Sequence, residues 1–162
     1  MSDTPEDRPV EWVNCYDDIV DRREDALINA VNCVGVAGKG VALRFRERFP
    51  DNYHAYRTAC RQKTVKTGRM FVFRTMTTAT PRYIINFPTK KDWRDPSHIS
   101  YIDTGLWDLA RTIVLLGVRS IAIPRLGCGC GGLDWGEVWP KIYWALYPIN
   151  CLQEVTVCHP LA

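Results

Sequence analysis

Long hydrophobic runs are missing from this sequence: none of its 162 residues fall in a stretch approaching the roughly 20 apolar residues that span a bilayer. Charge of one sign is also missing. The formal net charge is +3, which is too small to mark a nucleic-acid binder by itself. Histidine is scarce, and His54, His98 and His159 lack a Cys or Ser placed for a catalytic triad. Cys128 and Cys130 form C-x-C and Cys158 precedes His159, but this spacing matches no zinc finger or ribbon, so neither a metal nor a cofactor is expected. There is no internal repeat, low-complexity tract or dividing linker. The first residues, MSDTPEDRPVEW, lack the apolar centre of a signal peptide; they read as a disordered lead-in over 1–10, followed by one domain over 11–162. Seven cysteines without a secretory leader predict reduced thiols and a cytoplasmic location.

What is present alternates. Trp12–Tyr16 and Ala26–Asn32 read as strands, and Gly40–Cys60 as helical, with Val41, Phe45 and Phe49 on one face. Arg69–Thr75 and Arg82–Pro88 read as a sequential strand pair. Tyr101–Leu116 carries Ile102, Leu106, Leu109 and Ile113 on a helical stripe. Ser120–Pro124, a helix over Val138–Leu146 and a closing strand Glu154–Cys158 follow. Asp134 and Glu137 are spaced to cap the last helix, against which Pro140 argues. Trp107, Trp135, Trp139 and Trp144 fall on helical stretches and are expected to pack. The alternation predicts an α/β fold with a parallel or mixed sheet covered on both faces, whose ligands bind beyond the carboxyl ends of the strands.

Two strand-to-helix junctions are built of glycine. Gly35 to Gly40 reads G-V-A-G-K-G; Arg125 to Leu133 reads R-L-G-C-G-C-G-G-L. The first is neither the G-x-G-x-x-G of dinucleotide folds nor a triphosphatase loop, because Lys39 is followed by Gly40 rather than Ser or Thr. Both leave successive amides unobstructed, and two such nests suit a diphosphate better than a single phosphate.

The runs NAVNCVGVAGKGVALRF, NFPTKKDWR and IPRLGCGCGGLDW strongly resemble the macro domains, over roughly residues 11 to 158. More narrowly they resemble the branch holding the DNA ADP-ribosyl glycohydrolase antitoxins and the terminal ADP-ribose protein glycohydrolase. The resemblance implies a three-layer α/β/α fold around a mixed six-stranded sheet, and an ADP-ribose cleft. It implies that Asp18 and Ile19 hold the adenine and that Asn32 faces the distal ribose. Gly35, Val36, Ala37, Gly38 and Gly40 would wrap the diphosphate and the ribose beyond it from one side. Arg125, Gly127, Cys128, Gly129, Cys130 and Gly131 would do so from the other.

Lys90, after a strand and beside Lys91 and Arg94, could attack the anomeric carbon of an ADP-ribosyl adduct once unprotonated, a state that like-charge repulsion favours. The resemblance implies this catalytic role for Lys90. It also places Gly131 where the terminal ADP-ribose protein glycohydrolase carries an assisting aspartate, so either the lysine works with other groups or the acid comes from elsewhere. Trp93 reads either as a packed aromatic or as a platform for an unpaired base, with Lys91 and Arg94 on phosphates. The expected protein is a monomeric hydrolase that releases ADP-ribose from acidic protein side chains or from thymidine in single-stranded DNA. The alternatives are an ADP-ribose-binding module without turnover and a nucleic-acid module.

Overall fold

In the computed structural model, which describes residues 9–161, six strands form one sheet in the order β1-β6-β5-β2-β4-β3. The strands are β1 Glu11–Cys15, β2 Ala26–Asn32, β3 Phe71–Arg74, β4 Tyr83–Lys90, β5 Ser120–Pro124 and β6 Glu154–Cys158. Only β3 runs against its neighbour, with Phe71 opposite Asn86 and Arg74 opposite Tyr83; every other pair is parallel. The carboxyl ends of β1, β2, β4, β5 and β6 therefore share one edge. Most of the expected lead-in over 1–10 lies outside the described residues. Val10 does not belong to it, because its side chain is buried in the main core.

The strands alternate as two covered faces require. In β2, Ala26 and Ile28 face a core completed by Ile102, Leu106, Leu109 and Ile113 of α3 (Ile99–Leu116) and by Val138, Ile142 and Leu146 of α4 (Trp135–Leu146). Leu27 faces the opposite layer, where Phe45 of α1 (Gly40–Arg48) packs with Ile19, Val20, Ile84 and Ala122. Val31 meets Tyr56, Ala59 and Cys60 of α2 (Pro50–Arg61). The result is the expected three-layer α/β/α arrangement.

Four expectations need correction. The helix expected over Gly40–Cys60 is two helices. Proline disfavours helical torsions in the residue before it, and Phe49 turns out to φ −127°, ψ 69° while Pro50 opens α2 at its first turn. The last helix begins at Trp135 and passes through Pro140. There the missing N–H frees only the exposed Gly136 carbonyl, which water can satisfy. Asp134 precedes that helix but makes no side-chain cap; the Glu137 and Val138 amides donate to its carbonyl at 3.0 and 3.1 Å. Finally, Trp135 and Trp139 pack on the core, but Trp107 and Trp144 are 84% and 68% exposed.

Candidate active site

The register of β2 and β4 slips between Val31 and Asn32, so that Val31 opposes Pro88 and Asn32 opposes Lys90. A bulge of this kind re-aims the residue that follows it. Lys90 closes β4 with only 9% of its surface exposed. Its Nζ donates to the Cys130 carbonyl at 3.1 Å and to the Trp93 carbonyl at 3.3 Å. The amine thus spans from the strand end to the second glycine loop. The like-charge neighbours expected to act on it are arranged otherwise. Arg94 is paired with Asp92 at 2.9 Å, and Lys91 extends over the Tyr101 ring at 5.9 Å.

The first loop is shaped by Asn32. Its Oδ1 accepts from the amides of Val34, Gly35 and Val36 at 3.1, 3.1 and 3.3 Å, and its Nδ2 donates to the Val36 carbonyl at 2.8 Å. A single carboxamide therefore makes four hydrogen bonds to three successive residues, and Gly35 completes the turn at φ +84°. From behind, the buried Tyr56 hydroxyl lies 2.8 Å from the Asn32 carbonyl and 3.0 Å from its Oδ1, and the Tyr53 hydroxyl donates to the Gly35 carbonyl at 3.3 Å. Asn32 is thus a brace under the first loop, its carboxamide engaged by that loop. Asn29, which the sequence shows beside it, is buried under α2 instead and donates to Asn86 Oδ1 at 3.0 Å.

Helix α1 begins at the end of the first loop, and its opening amides supply the positive end of the dipole. The second loop comes to meet it: a Cβ built on Gly40 would lie 3.9 Å from Cys130 Sγ. Gly38, Lys39 and Gly40 are exposed on one side, and Gly129 and Cys130 on the other. The buried Gly131 packs against Ser97, which holds the loop to β4: its N–H donates to the Gly131 carbonyl at 3.0 Å and its hydroxyl to the Thr89 carbonyl at 2.7 Å. A Cβ on Gly131 would fall 2.4 Å from the Gly127 carbonyl oxygen and 2.5 Å from Ser97 Oγ. No acidic side chain fits there in this backbone.

Asp18 lies past the end of β1. Its Oδ1 accepts from the Val20 amide at 3.3 Å and its Oδ2 from Arg44 Nε at 2.6 Å. Ile19 is 5% exposed and packs within the core. Arg125 begins the second loop and donates from Nε to His159 Nδ1 at 2.9 Å. That bond makes Nε2 the protonated nitrogen, which lies 2.8 Å from Asn14 Oδ1. Burial, and secondarily the Arg125 charge, hold His159 below its usual pKa. All seven cysteines are free thiols, and the described residues contain no cluster of metal-ligating side chains. Among them no helix is long and apolar enough to cross a membrane.

Tyr56 and Ser97 escaped the sequence reading. Tyr56 carries no motif, and Ser97 is separated from the loop it fixes by more than thirty positions of chain.

The macro domain model matches residues 28–142, which includes both glycine loops and Lys90. This chain belongs to the macro domain family. It is 53% identical over 137 residues to a DNA ADP-ribosyl glycohydrolase of Thermus aquaticus, an alignment covering 85% of this chain and 38% of that protein. The chain thus spans about two fifths of the length of that curated relative. The macrodomain of Mycobacterium tuberculosis DarG superposes with a TM-score of 0.88 at 44% identity, covering 91% of this chain and 97% of the other. Thermosipho africanus DarTG in complex with ADP-ribose superposes at 0.81 with 30% identity, covering 93% of this chain and 43% of that one.

Proposed function

We propose that this macro domain holds ADP-ribose between its two glycine loops and hydrolyses the bond joining the distal ribose to a substrate, with Lys90 as nucleophile. One observation carries the reading: a nearly buried amine at the end of β4 touches the second loop directly, and that loop in turn meets the first helix N-terminus. The amides of Ala37–Gly40, together with those of Gly127 and Gly129–Gly131, would bind the diphosphate, since the Gly35 and Val36 amides are taken by Asn32. Asp18 and Ile19 would meet the adenine. Asn32 would fix the loop against which the distal ribose lies.

In the reaction, the neutral Lys90 amine bonds to the anomeric carbon as the bond from that carbon to the substrate breaks. The substrate leaves with the electron pair and takes up the proton lost by the amine. Water then cleaves the lysine adduct, giving free ADP-ribose and restoring the amine. Because Gly131 excludes an acid at its position, and because the Thermus aquaticus relative is a DNA ADP-ribosyl glycohydrolase, thymidine of single-stranded DNA is the proposed substrate ahead of acidic protein side chains.

A second reading is favoured by the same hydrogen bonds. An amine that donates to two carbonyls also serves as a brace, and a module that only binds ADP-ribose would need no more. The two readings separate when ADP-ribosylated thymidine oligonucleotide and ADP-ribosylated glutamate peptide are offered to the protein and to Lys90→Ala, with ADP-ribose binding followed by calorimetry. Release by the native chain, abolished in a variant that still binds ADP-ribose, is the expected result. No release from either substrate would leave the binding module.

A further inference from the structure

The residues after Lys90 turn sharply and rejoin the site at Ser97. Within this turn the Trp93 carbonyl accepts from the Lys90 amine at 3.3 Å, while the Trp93 side chain faces outward, 52% exposed. The turn is pinned. The Arg94 and Asp95 amides donate to Asp92 Oδ1 and to the Asp92 carbonyl at 3.0 and 3.2 Å. The Arg94 guanidinium grips both carboxylate oxygens at 3.0 and 2.9 Å. So held, Arg94 lies 5.7 Å from the Trp93 ring centre. Lys91, from the same turn, lies over Tyr101, which meets the His98 ring edge-on at 5.0 Å. Unlike Trp135 and Trp139, Trp93 is not part of the core packing. A large ring held out to solvent on a rigid turn, with Arg94 near that ring and Lys91 over the ring of Tyr101, has the composition of a single-strand stacking platform.

We propose that Trp93, Lys91 and Arg94, with Tyr101, bind the DNA strand that carries the modification. Trp93 stacks on a base beside the ADP-ribosylated nucleotide, and the two cations meet its flanking phosphates. The proposal rests on the reading of Lys90 given above, since it takes the strand to enter at that amine. Asp92 and Asp95 offset the two cations in formal charge, so stacking leads the interaction and charge assists it. With about two phosphates engaged, the logarithm of affinity falls with the logarithm of salt at a slope of about −1.4. A duplex offers no free base to the ring and is bound weakly.

The test uses two measurements on the native chain, Trp93→Ala, Trp93→Phe and Lys91→Ala. The first is anisotropy of a fluorescein-labelled unmodified thymidine oligonucleotide. The second is the ratio of kcat/KM for an ADP-ribosylated oligonucleotide to that for ADP-ribosylated thymidine nucleoside. Trp93→Ala is expected to weaken oligonucleotide binding and to lower the ratio, each about tenfold, the scale of one lost stack; Trp93→Phe restores most of both. Lys91→Ala reduces the salt slope by about 0.7. Unchanged oligonucleotide binding in Trp93→Ala, or an equal fall on oligonucleotide and nucleoside, overturns the proposal and leaves Trp93 a support for the Lys90 turn. If every substrate resists turnover while Trp93→Ala still weakens oligonucleotide binding, the strand surface stands and the reading of Lys90 as nucleophile falls.

Discussion

The Lys90 amine and the Cys130 carbonyl lie 3.1 Å apart, and this hydrogen bond joins the end of a central strand to a glycine loop forty positions further along the chain. The group proposed to react is therefore also a tie. Substitutions at Lys90 have to be chosen so that the two roles come apart.

Lys90→Arg makes that separation. Arginine keeps cationic donors for the two carbonyls but stays protonated and cannot attack carbon. Turnover is expected to fall by about 10³-fold or more, the scale of losing a nucleophile, with ADP-ribose affinity retained. Single-turnover assays beside calorimetry decide the matter; an active arginine variant would remove the nucleophile role.

Tyr56→Phe removes the hydroxyl that supports Asn32 from behind. The lost hydrogen bond costs about 1 kcal/mol, which corresponds to a fall in Tm of roughly 2–4 °C in a domain of this size. Because Asn32 winds the first loop, the functional effect should appear as a higher KM and weaker ADP-ribose binding, with kcat little changed. Melting curves and steady-state kinetics check both.

Gly131 and Gly129 sit two residues apart and should respond in opposite ways. A methyl at Gly131 meets the Gly127 carbonyl and Ser97, whereas one at Gly129 meets nothing within 4 Å. Gly131→Ala is expected to cost about 1–3 kcal/mol, as overpacking does, and to weaken ADP-ribose binding. Gly129→Ala should unfold at nearly the native denaturant concentration. Equal midpoints for the two variants would contradict the packing described here.

His159 sets a pH dependence whose sign follows from its environment. Its folded pKa lies below the usual 6.5, through burial first and the Arg125 charge second. Above that usual value both folded and unfolded histidines are neutral and the contribution is fully present. As pH falls through 6.5 and on to the folded pKa, the unfolded chain takes up the proton first, so stability declines. An NMR titration should give a midpoint below 6.5, and Arg125→Gln should move it upward.

The alternation of strands and helices was readable because two-sided burial imposes it: Leu27 and Ile28 point to opposite layers, and the period of two is visible without coordinates. The glycine loops were readable because few other needs concentrate glycine after a strand. The break at Phe49 was signalled by Pro50, yet the apolar stripe of Val41, Phe45 and Phe49 continues through it and masks the corner. The start of α4 was obscured because Pro140 forbids a hydrogen bond that an exposed carbonyl can afford to lose. Tyr56 and Ser97 act through tertiary contacts, and neither a hydroxyl's partner nor the exposure of Trp107 and Trp144 is written in local pattern.

The short antiparallel strand bears on the proposed nucleophile as well. β3 pairs with β4 only from Tyr83 to Asn86, so Phe87 to Lys90 have a strand neighbour on one side alone. Pro88 is tolerated there, and the slip that sets Lys90 opposite Asn32 falls in the same stretch. Lys90 thus ends a stretch paired on one side alone, and the backbone amides of that stretch should trade hydrogen for deuterium sooner than those of Ile84 and Ile85. Ligand that bridges both loops would clamp this end, so slower exchange there would report occupancy even where no bond is cut.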